Sequence, residues 1–297
     1  MKQFRVVAET DRNYPMGLTI DGKRIHVSVK WPGSACALVL TEEQGETAVF
    51  EMAPELRQGD VWNLTLETDR QIKGCFVYGF QTEQGWLPDP YGKVFRGREI
   101  WGAETGFKRK LETVAGQTVF EWGEDKRPQI PYEDCVIYKA HVRGFTKHPS
   151  SHVRDRGTFR AVMEKIPYMK ELGVTTLELM PVMEFNEVWE ETEVRMVKLP
   201  VENQPPKLNY WGYGDSFLFA PKASYSSGKR KHPATELKTL VRELHKNNME
   251  LVLELYVSGK EDPSMVLDAV RYWAREYHID GIHLVGDAPL KLIGQDP

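Results

Sequence analysis

Three carboxylates sit in or just past short apolar runs: Glu178 in Val174–Met180, Glu254 in Glu250–Val257, and Asp287 two positions after Val285. Carboxylates at the ends of strands in an α/β fold are often functional, and a suitably spaced pair can do acid/base work. Glu254 and Asp287 are the candidate pair. The competing reading pairs Glu254 inside the fold and leaves Asp287 as a solvated turn residue, since Gly286 and Pro289 flank it. A second group is aromatic: Tyr210, Trp211 and Tyr213 around Gly212, with Phe217 beyond. Flat rings of this kind either stack on a ligand or pack their own loop. His141 and Arg143 close the first apolar run, where a buried, hydrogen-bonded structural pair is one reading and ligand contact the other. The basic run Lys229–His232 reads as a solvated approach to a helix.

The elements that must position these groups are legible as repeats of one unit. Val136–Tyr138 leads a strand over about 135–141. Phe159, Val162, Met163, Ile166, Met169 and Leu172 recur at three- and four-residue steps, which predicts a helix over about 158–172 with a kink or restart at Pro167. Gly173 stops it. A strand over 174–180 follows, and strand–helix–strand in one short segment implies parallel pairing. After a long charged and Pro-containing loop, Pro233 opens a helix to about Asn248, and Glu250–Val257 is the third strand. Asp262-Pro263 starts the next helix as N-cap and first-turn proline, and Ile279–Val285 is the fourth strand. Four such units make half of a (β/α)₈ barrel, which takes about 250 residues when complete. The open half is expected to be covered by a missing C-terminal half of a longer polypeptide or by a protein partner.

The preceding residues alternate differently. Ile25, Val27 and Val29 interleave with His26, Ser28 and Lys30, Asp21-Gly22 signals a hairpin, and Ala35–Leu40, Val61–Leu66 and Cys75–Phe80 read as further strands. A β-sandwich over 1–105 is expected, then a connector over 106–134 and the α/β part over 135–297. Of the tryptophans, Trp62 is assigned to the core. Trp31, Trp86 and Trp101 are the other flat faces, with Trp86 and Trp101 expected to pack against the neighbouring domain rather than on a ligand.

The net charge of −4 offers no basic field for nucleic acid or an anionic membrane. No apolar run nears the roughly 20 residues that span a bilayer, and the first residues lack a signal-peptide core. Cys36, Cys75 and Cys135 are read as buried reduced thiols, with no metal and no cofactor expected and the cytoplasm as the compartment.

The segments His141–Thr146, Gly157–Thr175, Leu177–Phe185, Tyr210–Tyr213 and Phe219–Tyr225 resemble glycoside hydrolase family 13, in its pullulanase, isoamylase and branching-enzyme branch. The resemblance implies a TIM barrel preceded by an immunoglobulin-like early-set sandwich similar to carbohydrate-binding module family 48. Asp89–Lys93 resembles that module's exit. It also implies an α-glucan or maltooligosaccharide as ligand, with Tyr213 as the ring that stacks on sugar and Trp211, Tyr210, His141, Arg143 and His283 as further contacts. The catalytic positions depart from the family. Where the fourth strand usually reads like D-G-F-R-F-D, this chain reads Asp280-Gly281-Ile282-His283-Leu284-Val285, so valine stands at the nucleophile position. The third-strand motif reads Glu254-Leu255-Tyr256-Val257-Ser258-Gly259 in place of D-V-V-Y-N-H. A catalytically silent glucan-binding relative or fragment is therefore expected. The alternatives are an active glycosidase or transglycosidase with relocated carboxylates, and a protein-interaction module.

Overall fold

The computed structural model describes residues 3–7, 15–42, 45–103, 111–116, 119–188, 208–228 and 232–296. The expected loop Glu190–Pro206 and the run Lys229–Lys231 lie outside them. The chain divides into two compact units, Met1–Gly97 with Arg109–Val119, and Arg98–Lys108 with Phe120–Pro297.

The first unit is all β. Its strands are β1 (Arg5–Val7), β2 (Gly17–Asp21), β3 (Arg24–Lys30), β4 (Cys36–Glu42), β5 (Thr47–Glu51), β6 (Val61–Glu67), β7 (Phe76–Thr82), β8 (Gly85–Leu87), β9 (Phe95–Arg96) and β10 (Glu112–Ala115). They form two antiparallel sheets, ordered β1-β6-β3-β2 and β5-β4-β7-β10-β9, with β8 on β7. Ile25, Val27, Val29, Leu38, Leu40, Trp62, Leu64, Leu66 and Phe80 interdigitate in one apolar core. The hairpin between β2 and β3 turns at Gly22, whose φ of 60° is left-handed. Alternation along β3 predicts one polar, wet face, yet His26 and Ser28 are also buried; His26 Nδ1 meets Thr65 Oγ1 at 3.1 Å and Ser28 Oγ donates to Asn63 at 2.8 Å. The stretch expected as a connector supplies β10. Trp86 does not stand free: its ring lies on Gly79, where any Cβ would collide with it, and its Nε1 donates to the Leu111 carbonyl. Only one of the three thiols is buried as expected. Cys36 is enclosed, and burial with help from Glu83 and Glu51 pushes it up to about 12, whereas Cys75 is exposed and Cys135 half-buried.

The second unit is α/β. β11 (Ile137–Ala140), β12 (Thr176–Leu179), β15 (Glu250–Val257) and β16 (Gly281–Gly286) form a parallel sheet in that order. Between β12 and β15 the chain makes a separate antiparallel ribbon, β13 (Met183–Phe185) and β14 (Ser216–Pro221). The helices are α1 (Val142–Lys147), α2 (Phe159–Met163), α3 (Ile166–Glu171), α4 (Pro233–Lys246), α5 (Pro263–Glu276) and α6 (Leu290–Ile293). The restart at Pro167 is real: α2 ends at Met163 and α3 begins at Ile166, with proline in its first turn where no N–H is needed. Gly173, at φ 74°, ends α3, and Asp262 caps α5 by accepting from the Ser264 amide. α1 falls where the sequence reads as a loop, too short for a 3.6-residue apolar period to show. Leu177, Leu179, Leu251, Leu253 and Leu255 bury one sheet face, and Phe159, Met169, Leu240, Val241, Val266 and Trp273 are buried with them. No described helix is long and apolar enough to cross a membrane.

Two buried polar clusters tie these elements together. Lys222, wholly inaccessible, meets Glu184 at 2.5 Å and Glu187 at 2.8 Å, and donates to the Phe185 carbonyl. The two carboxylates also accept from the amides of Ala223 and Gly102 and from Ser224 Oγ. The ribbon β13–β14 is thereby fixed from both strands and from residue 102. At the other cluster, His245 places Nδ1 2.9 Å from Asp125 and Nε2 3.0 Å from Asp280, which also accepts the Leu251 amide. Carboxylates can only accept, so both imidazole nitrogens carry protons. Burial alone would lower this histidine, but Asp280 and Asp125 outweigh it and the net shift is upward.

Lys222→Met leaves two buried carboxylates without a cation and should cost about 3–5 kcal/mol in urea unfolding; an unchanged midpoint would contradict the clamp. For His245 the raised value means full stabilisation below the ordinary histidine range and loss as pH rises through the folded value. His245→Gln should therefore destabilise by about 3 kcal/mol at pH 6 and by clearly less at pH 9, and a pH-independent deficit would contradict the charged imidazole.

Candidate functional site

On the sheet face opposite the leucines, four strands each contribute one polar residue. Strand register puts Lys139 beside Glu178 and Glu254 beside His283, and alternation points all four the same way. Lys139 Nζ bonds Glu178 at 2.9 Å and makes a closer ion pair with Glu254; His283 Nδ1 lies 2.7 Å from Glu178 and 3.9 Å from Glu254. Glu254 is fully buried, while the side chains of Lys139 and His283 are 41% and 49% exposed. Burial would raise the Glu178 carboxyl, but His283 and Lys139 overcome it and hold it below the usual carboxylate range. Lys139 is raised in turn: burial opposes its charge, and Glu254 and Glu178 more than compensate.

Tyr213 stands over the same ladder. Burial, then hydrogen bonding to Glu254 and after that its charge, push the phenol up to about 12, and the ring meets Tyr256 edge-on at 5.6 Å. Its placement comes from Gly212, whose φ is 86° and whose Cα hydrogens face Phe185; a Cβ there would lie 2.7 Å from that ring. Asn209 braces the turn, donating to the carbonyls of Asn186 and Tyr213 and accepting the Gly212 amide. Across this glycine the chain sends Tyr213 toward Glu254 and Trp211 toward His141.

Around His141 the aromatic residues close into a cluster. His141 caps α1: its Nδ1 accepts the Gly144 amide at 2.9 Å, so the proton is on Nε2, which donates to Tyr225 Oη at 3.0 Å. Tyr210 stacks on the imidazole at 4.6 Å, and Trp211 meets it edge-on at 5.8 Å. Trp101 stacks flat on Tyr225 at 5.7 Å, and Arg143 lies 4.9 Å over the Trp101 ring. Burial, assisted by Arg143, lowers His141 to about 4. An open depression of about 260 Å³ lies between Tyr138, Lys139, His141, Phe145, Tyr210 and Trp211, with Trp211 53% exposed at its rim.

The sequence candidates thus fall into two places. Glu254, His283 and Tyr213 meet at the ladder; His141, Arg143, Tyr210 and Trp211 meet at the aromatic cluster. Asp287 joins neither. It is exposed, beyond the turn at Gly286, with its amide bonded to the Val257 carbonyl. That register sets it on the order of 10 Å along the strand from Glu254, about twice the separation a retaining carboxylate pair uses. Lys139 is the neighbour of Glu254 that sequence reading missed; a lysine between Tyr138 and Ala140 carries no motif, and only strand register brings it to Glu254. Trp101 belongs to the second unit and packs on Tyr225, not on a glucose-sized face. In an NMR titration the His141 ring should remain neutral down to about pH 4; a midpoint near 6.5 would contradict its enclosure.

No family model matches the chain. It is 26% identical to isoamylase 1, chloroplastic, of Oryza sativa subsp. japonica, over 90% of this chain and 41% of that protein. It is 27% identical to a glycogen operon protein GlgX homolog of Mycobacterium bovis, over 90% of this chain and 46% of the relative. Among solved structures, a pullulanase from Paenibacillus barengoltzii in complex with maltohexaose and alpha-cyclodextrin superposes with a TM-score of 0.68 at 20% identity, covering 93% of this chain and 49% of that one. That likeness is one of fold. The chain spans less than half the length of each of these proteins. Its homologues by sequence are isoamylase and GlgX, debranching enzymes of glycoside hydrolase family 13, and its fold is similar to that of a pullulanase.

Proposed function

We propose that this chain is part of an α-glucan-recognising protein, an immunoglobulin-like sandwich followed by the first half of a (β/α)₈ barrel, that holds glucan without hydrolysing it. The carrying observation is Val285 on β16. It lies two residues after His283 and so faces the same side of the sheet, and the resemblance assigns it the nucleophile position. An isopropyl group cannot form a glycosyl ester.

The remaining carboxylates do not replace it. Glu178 and Glu254 approach each other as closely as a retaining pair would need, but Lys139 bridges them. A general acid must hold its proton near neutral pH, whereas Glu178 is held below the usual range, after burial is offset by His283 and Lys139. Recognition survives this loss because ring-on-sugar stacking needs no ionisable group. Tyr213 above the ladder and Trp211 at the rim of the neighbouring depression are the faces that supply it, and maltohexaose and alpha-cyclodextrin are the ligands in the pullulanase complex of similar fold.

A second reading rests on the edge of the sheet. Val136 and Ile137 are 50% and 55% exposed at β11, and an open parallel edge invites a covering partner. The two readings separate in affinity electrophoresis through glycogen and pullulan gels. Retarded migration, weakened roughly tenfold by Tyr213→Ala, is expected, corresponding to about 1.4 kcal/mol of lost stacking. Migration that ignores both polysaccharides would overturn glucan recognition and favour the partner reading.

A further inference from the structure

The ladder contains a feature that sugar stacking leaves unexplained. His283 Nδ1, one oxygen of Glu178 and one of Glu254 all lie within 4.8 Å of one another. Glu254 has no solvent exposure; its Oε2 is engaged by Lys139, while its Oε1 makes no hydrogen bond among the described residues. A buried acceptor left unpaired costs about 1–3 kcal/mol, and an ammonium that reaches one oxygen does not relieve it. A divalent ion does, because it can take both oxygens of a carboxylate at once.

Charge leads to the same occupant. The two carboxylates carry −2 and Lys139 returns +1, which leaves these three side chains one positive charge short of balance. A divalent ion in place of the ammonium balances it. The exchange is physically open: Lys139 is a flexible side chain that is 41% exposed, so it can move to solvent and keep its charge there, and His283 leaves a solvent-facing approach. One imidazole with two carboxylates suits zinc or cobalt. Calcium and magnesium take oxygen ligands and have no use for the ring nitrogen.

We propose that Glu178, Glu254 and His283 form a divalent metal site of the zinc class on the open face of the parallel sheet, with Lys139 as an internal cation that competes for it. The site is independent of the glucan reading and stands or falls without it.

The test is titration of the chelator-treated protein with Co²⁺, followed by visible absorption, and with Zn²⁺ by calorimetry. A single ion is expected, with cobalt bands that zinc displaces. Lys139→Met should tighten binding by about tenfold or more by removing the competing charge. His283→Ala, at a half-exposed position, and Glu178→Gln, which keeps the side chain's shape, should each weaken it by a similar factor. Absence of binding in Lys139→Met would overturn the proposal. So would binding that is indifferent to His283→Ala and Glu178→Gln, since the ion would then sit elsewhere.

Discussion

Taking a carboxylate out of water is costly unless a cation meets it, and Glu254 has no exposure to water. Lys139 is the cation, and it comes from a strand two places away in the sheet. The pairing therefore requires the parallel order β11-β12-β15-β16 in the register observed, since a slip of one residue in any strand would turn its member to the leucine face. Glu178 on the intervening strand and His283 on the next extend the same line of charge. The polar face of the second unit is organised by this one desolvation problem, and Tyr213 is placed against its solution.

The two further polar clusters solve the same problem for the parts that the sheet does not reach. Lys222 neutralises Glu184 and Glu187 and so anchors the ribbon from which the chain runs to Tyr213. His245, charged between Asp125 and Asp280, fixes the start of β16 to α4. Asp280, at the entrance to β16, has structural work: it accepts the Leu251 amide and pairs with the His245 ring.

How much of this was legible in the sequence follows from the range of each signal. Period and caps are local, and they located β15, α4, α5 and the break between α2 and α3 within a few residues. Helix α1 escaped because six residues do not complete two turns. The burial of His26 and Ser28 escaped because alternation reports which residues face together, not what covers them. Among site residues, His141, Tyr210, Trp211 and Tyr213 were visible as a motif, and the structure brings the first three together. Lys139 was not, because its meaning lies wholly in which strand its own strand pairs with. Asp287 looked like a partner for Glu254 from its distance to Val285, until the turn at Gly286 carried it away.

The central claim is that the sheet retains a sugar-facing surface without a nucleophile. Intact-mass analysis after incubation with a fluorinated α-maltosyl fluoride, which traps the glycosyl ester of a retaining glycosidase, tests it most directly. The account predicts no covalent adduct on this chain at any pH from 5 to 8, roughly the range in which acid/base residues operate. A stoichiometric adduct on Glu254, Glu178 or Asp287 would contradict it and show that a carboxylate has taken over the position that Val285 vacates.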